Sequence, residues 1–188
     1  MSEQGFRGTA HESDEARVSR LPFATSQECL GLEQGVAGFY LQGNLAVLVW
    51  LDAATLSSAD LLVQATHRTL RRELGPLFVV NYLTPRKPMP DQEVRRRLMV
   101  SMREMEPHLA ATALVLNGDG FWAGAVRAMI NGLRLMSSGA AKIRVDATLV
   151  DTAGWLPEMY TRVTGMELSS TKFRQVVDTA VQRAQQGQ

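Results

Sequence analysis

Residues 36–52 read VAGFYLQGNLAVLVWLD, two apolar runs interrupted by Gln42-Gly43-Asn44. Gly and Asn supply the positive backbone angles of a tight reversal, so Val36–Leu41 and Leu45–Leu51 are expected to pair as an antiparallel hairpin. The second run is apolar at nearly every position rather than at alternate ones. A strand of that kind is buried on both faces, so its sheet needs a layer of structure on each side.

Downstream of the hairpin, helical and strand patterns alternate. LSSADLLVQATHRTLRREL begins with Ser57 and Asp60 at capping-box-like spacing and stops at Gly75-Pro76, which marks a helix. LFVVNYL (77–83) is a short apolar and β-branched run, expected as an interior strand. The proline-rich TPRKPMP follows, and Pro90 suits the first position of a helix over about 90–106. Val94, Leu98, Met102 and Met105 share one face of that helix, and Pro107 ends it. ATALVL (111–116) predicts a second interior strand. IRVDATLV (143–150) predicts a strand nearer the sheet edge, because Val145, Ala147 and Leu149 alternate with polar residues. LPEMYTRVTG predicts a short helix opened by Pro157 and capped by Gly165. In the last segment Phe173, Val176, Val177, Ala180, Val181 and Ala184 recur at helical spacing.

This order predicts an α/β fold: a mixed, mainly parallel sheet with an N-terminal β-hairpin, helices on the sheet, and an extra C-terminal amphipathic helix. The 188 residues suit one domain over 17–188, preceded by a polar, flexible tail over 1–16.

Composition narrows the function classes. The chain is 45% hydrophobic and 21% charged, a globular balance, and its net charge of +1 gives no general attraction to nucleic acid or anionic membrane. The run EVRRRL shares its helix with Asp91, Glu93, Glu104 and Glu106, so it reads as a solvated face and no nucleic-acid partner is expected. Lys stands only at 87, 142 and 172, a bias toward Arg that fits a GC-rich genome. Cys29 is alone, which excludes an intramolecular disulfide and points to a reducing cytoplasm. The first residues, MSEQGFRGTAHESDEAR, carry no apolar stretch of the signal-peptide kind, and no apolar run reaches membrane-spanning length. Neither a leader nor membrane insertion is expected.

Over roughly residues 35–165 the element order resembles the STAS-like fold of bacterial anti-sigma-factor antagonists and of the related lipid-binding SEC14-type domains. The resemblance implies a regulatory, protein-interaction module. The antagonists carry an Asp-Ser-Ser-Gly loop before the second helix, where a serine is phosphorylated. The matching loop here is TPRKPMPDQE, with Thr84 its only hydroxyl, so no phospho-switch and no functional residue is carried over.

One further stretch hints at chemistry: LNGDGFWAGAVRAMINGLRLM, residues 116–136. Gly118, Gly120 and Gly124 follow a strand and lead into a helix, where glycines can admit a pyrophosphate to the backbone amides. Asp146 then stands about where a ribose-binding acid would. Yet the motif comes late in the domain, and Asp119 sets a carboxylate where the phosphate would sit, while suiting a helix N-cap. Gly118, Asp119 and Gly120 are therefore weak cofactor candidates, and no cofactor is expected. Beyond them, Arg127, Asn131 and Arg134 form one narrow polar stripe on an otherwise apolar helix. Gly124, Ala128 and Gly132 form a small-residue row along it. Such a helix needs cover on two sides, from the C-terminal helix or from a second subunit. In the second case Phe121, Trp122 and Met129 are the interface candidates.

Other residues offer less. His11, His67 and His108 have no acid or cysteine at metal-ligand spacing, so no metal site is expected. The serines cluster at helix ends without a nucleophile elbow, so no catalytic residue is expected. Trp50, Trp122 and Trp155 read as core or interface anchors. Three functions stay open. The preferred one is a non-catalytic interaction or regulatory module that associates with a protein partner or itself. The second is a small-molecule or lipid site in a crevice where NYLTPRKP and NGDGFW meet. The third is a nucleotide-binding enzyme using Asp119 and Asp151.

Overall fold

The computed structural model describes residues 23–84, 90–117 and 142–188. Six strands form one sheet in chain order: β1 (Glu28–Glu33), β2 (Ala37–Gln42), β3 (Leu45–Trp50), β4 (Leu77–Leu83), β5 (Leu109–Val115) and β6 (Lys142–Asp146). β1, β2 and β3 pair antiparallel, and β3 through β6 run parallel. The helices are α1 (Leu56–Leu70), α2 (Gln92–Met105), α3 (Leu149–Ala153), α4 (Leu156–Thr164) and α5 (Ser170–Gln186). The architecture is the mixed α/β sheet that the alternating pattern predicts, with the C-terminal helix in place.

The hairpin pairs Phe39 with Leu48 and closes at Gln42 and Leu45. Only Gly43 takes left-handed backbone (φ 60°); Asn44 does not, contrary to the expectation for that position. β3 alternates between two cores, as its unbroken apolar run requires. Val47 and Val49 pack with Tyr40, Phe78, Val80 and the α3–α5 side, while Ala46 and Leu48 pack with Phe39, Val79 and the α1 residues Leu62 and Ala65. α1 and α2 both lie on one face. Right-handed crossovers in a sheet whose strands follow one another in order demand that placement.

Several boundaries differ from expectation. β1, ECLGLE, carries no clean alternation and was not expected as a strand. It is bulged between Cys29 and Gly31, and α1 holds it from outside: Arg68 Nη1 donates to Leu30 O at 2.9 Å and Arg72 grips both oxygens of Glu28 at 2.7 Å. The α1 N-cap is Thr55, not Ser57. Thr55 Oγ1 accepts from Ser58 N (3.0 Å) and Ser58 Oγ accepts from Thr55 N (2.8 Å), a reciprocal box two positions earlier. α2 is capped by Asp91, which accepts from Val94 N, so Pro90 stands before the cap rather than at the first helical position. The strand expected over 143–150 stops at Asp146 because Thr148 and Asp151 form a second box that starts α3. Pro157, Gly165 (φ 71°) and Ser169 act at helix ends as their types predict.

Candidate functional site

In parallel α/β sheets, reactive and binding groups gather where the strands end. Here that edge is made by Trp50, Leu83-Thr84, Leu116-Asn117 and Asp146. Thr84 laces β3 to β4: its N–H donates to Trp50 O at 3.0 Å, and its hydroxyl lies 3.1 Å from Trp50 O and 2.9 Å from Leu51 O. Asn117 adopts left-handed backbone (φ 45°), and its Nδ2 lies 3.3 Å from Leu83 O. Leu116 N donates to Asp146 O at 3.1 Å, which ties β5 to β6 at the same level.

Asp146 is the buried acid of this edge, with 4% of its surface exposed. Its Oδ2 accepts from Thr152 Oγ1 and from Trp155 Nε1, both at 2.8 Å. Its Oδ1 lies 2.7 Å from Arg144 Nε, and the Arg144 guanidinium stands 5.4 Å over the Trp155 ring. Desolvating a carboxylate is costly unless donors replace the water, and these three side chains do so. The group welds α3 and the start of α4 to β6. The sequence signal for it is slight, because Thr152 and Trp155 follow Asp146 with no motif that marks them as its partners.

Two of the three acids singled out from sequence, Asp146 and Asp151, fall among the described residues. Asp146, which stands at the distance from the glycine turn where a ribose-binding acid would, is held by Thr152, Trp155 and Arg144. Asp151, an acid of the enzyme reading, accepts from Thr148 N (3.0 Å) and Thr148 Oγ1 (2.8 Å) as a helix cap. Gly118, Asp119, Gly120, Phe121, Trp122 and Met129 lie outside the described residues, as does the tail over 1–16. Trp50 packs edge-on to Phe39 at 5.3 Å, so both described tryptophans anchor packing. His67 Nε2 stands 2.9 Å from Glu104 Oε2. Cys29 is free and half-buried. Among the described residues, no group of three or more His, Cys, Asp or Glu side chains is placed to hold a metal, and no helix is long and apolar enough to cross a membrane.

Burial shapes the tyrosines of the α3–α5 layer. It pushes the Tyr160 phenol up to about 12. Tyr40 is also pushed up to about 12, by burial first and by neighbouring Cys29 second, with the Arg183 guanidinium opposing. Tyr82 is raised by burial and then by Asp178.

An open groove of about 490 Å³ lies at the other end of the sheet, where Thr69, Leu74, Pro76, Leu77, Pro107 and His108 meet. It is formed at the N-terminal ends of β4 and β5, opposite the expected crevice. No known protein family, curated protein or solved structure matches the chain.

Proposed function

We propose that the chain is a non-catalytic, STAS-like regulatory module of a bacterial cytoplasm that works by binding protein, first of all a second copy of itself. The observation that carries this reading is the engagement of Asp146. The buried acid at the strand C-terminal edge is bonded to Thr152 and Trp155 and paired with Arg144, and Asp151 is bonded within its own helix cap. Both acids serve the scaffold, which favours recognition over proton transfer at this edge. The element order, a hairpin leading into sequential parallel strands, is in keeping with the resemblance.

Phe121, Trp122 and Met129 are the contact residues of the self-association. Sedimentation of wild type against Phe121→Ser/Met129→Ser tests this. A dimer that dissociates in the double variant with its circular dichroism unchanged is the expected result. A monomeric wild type, or a variant that dimerises as wild type does, contradicts it.

A small-molecule or lipid site is the second reading. Its support is that Thr84, bonded to Trp50 O, and Asn117, bonded to Leu83 O, both stand at the strand C-terminal edge, where such folds hold ligands.

A further inference from the structure

Among the described residues the unpartnered buried hydroxyls lie on the α1–α2 side, although Thr69 there donates to Ala65 O at 2.9 Å, and Gln27 Oε1, beside α5, is unpartnered as well. On the α3–α5 side, the hydroxyls of Tyr40, Thr152, Tyr160 and Ser170 all donate to partners. On the α1–α2 side, the hydroxyls of Thr66 (2% exposed) and Ser101 (0%) have no hydrogen-bond partner among the described residues. Thr112 is a third such group. Ala111, Ala113 and Val115 of β5 belong to the α3–α5 core, so strand alternation turns Thr112 to the α1–α2 layer, beside its register partner Val79. A buried hydroxyl without a partner opposes closure of its layer, because opening returns it to water.

α2 also brings little apolar surface to oppose that tendency. Of its 14 residues, Val94 and Met105 are the buried apolar ones. α5, by contrast, buries Phe173, Val176, Val177, Ala180 and Ala184. α2 is laced to α1 by Asp60–Arg97 and by His67–Glu104, each pair 37 positions apart. The helices therefore run parallel and in register. Both pairs are about half exposed, where ion pairs contribute little.

We propose that α2 is a detachable element: it opens from the sheet as a local unit while β1–β5 and α5 stay closed, uncovering the apolar stripe of Leu62, Ala65 and Val79. This is a conformational property and does not depend on what the module binds.

Native-state hydrogen exchange in rising urea tests it. The α2 amides are expected to exchange roughly tenfold or more faster than those of α5, with a weaker urea dependence, as local openings do. Val177→Ala should accelerate α5 exchange and leave α2 rates unchanged, since α5 remains folded when α2 opens. Ser101→Ala should slow α2 exchange by removing one unpartnered hydroxyl. Equal rates and equal urea dependence for α2 and α5 in wild type would overturn the proposal, as would acceleration of both by the same factor in Val177→Ala. Unchanged α2 exchange in Ser101→Ala would overturn its stated cause. Should Val177→Ala fail to fold, the wild-type urea dependence decides alone.

Discussion

Tyr160 donates its phenol hydrogen to the side-chain oxygen of Asn44, 116 residues earlier in the chain. Asn44 also donates from Nδ2 to Pro76 O at 2.7 Å, and its own carbonyl accepts from Phe78 N at 2.9 Å. One buried amide in the hairpin turn thus joins β2–β3, the start of β4, and α4. Removing one partner of a buried hydrogen bond leaves the other unsatisfied, at about 1–3 kcal/mol. Asn44→Ala breaks two side-chain bonds and Tyr160→Phe one. Urea unfolding should therefore show Asn44→Ala as the more destabilised, and equal losses would mean the bonds do not share the load as drawn.

The same logic applies at the far edge. Asp146→Ala removes the acceptor of Thr152 and Trp155 and the partner of Arg144. Each hydrogen bond to a charged group contributes about 1.5–3 kcal/mol, so the variant should lose stability by at least one such increment. Trp155 fluorescence should shift as its indole N–H loses the carboxylate. A variant as stable as wild type, with unshifted emission, would show that α3 and α4 are held by packing alone.

High pH should weaken the fold. The Tyr40 and Tyr160 phenols are both pushed from an ordinary 10 up to about 12, so the folded state holds their protons more tightly than the unfolded state does. By linkage, their contribution is complete below pH 10 and is lost as pH rises from there through about 12. Melting temperatures should therefore fall over that interval in wild type and fall less in Tyr160→Phe. Parallel profiles for the two proteins would argue against the raised phenol.

Gly165 ends α4 in left-handed backbone (φ 71°), with open space where a Cβ would stand. Gly165→Ala should cost roughly 1 kcal/mol from backbone conformation alone, measured by urea unfolding. A neutral outcome would mean the turn relaxes.

Local pattern carried much of the fold. β2, β3, β4 and β5 were legible as short apolar runs bounded by turn residues, α5 by its helical period, and Gly165 and Pro157 because their backbone preferences are intrinsic. β1 was not legible: its Gly31 and its bulge break the alternation, and Arg68 and Arg72, some 40 positions on, complete it. α3 was hidden inside an apparent strand because alternation at Val145, Ala147 and Leu149 outweighed the Thr148–Asp151 box. The Ser57 box misled for a related reason. Thr55 and Ser57 carry similar capping chemistry, and the box that forms joins Thr55 to Ser58 rather than Ser57 to Asp60. At the candidate site, Asp146 was legible only by its distance from the glycine turn, inside a strand expected over 143–150. That the strand ends there, and which partners Asp146 meets, depends on how α3 and α4 fold back, which no spacing rule encodes.

Native mass spectrometry of the purified chain reports subunit count and retained ligand together, and so separates the interaction module from the ligand-binding domain. A dimer of bare chains is the expected spectrum. A monomer carrying a bound small molecule or lipid would contradict the interaction module and move the function to the strand C-terminal edge.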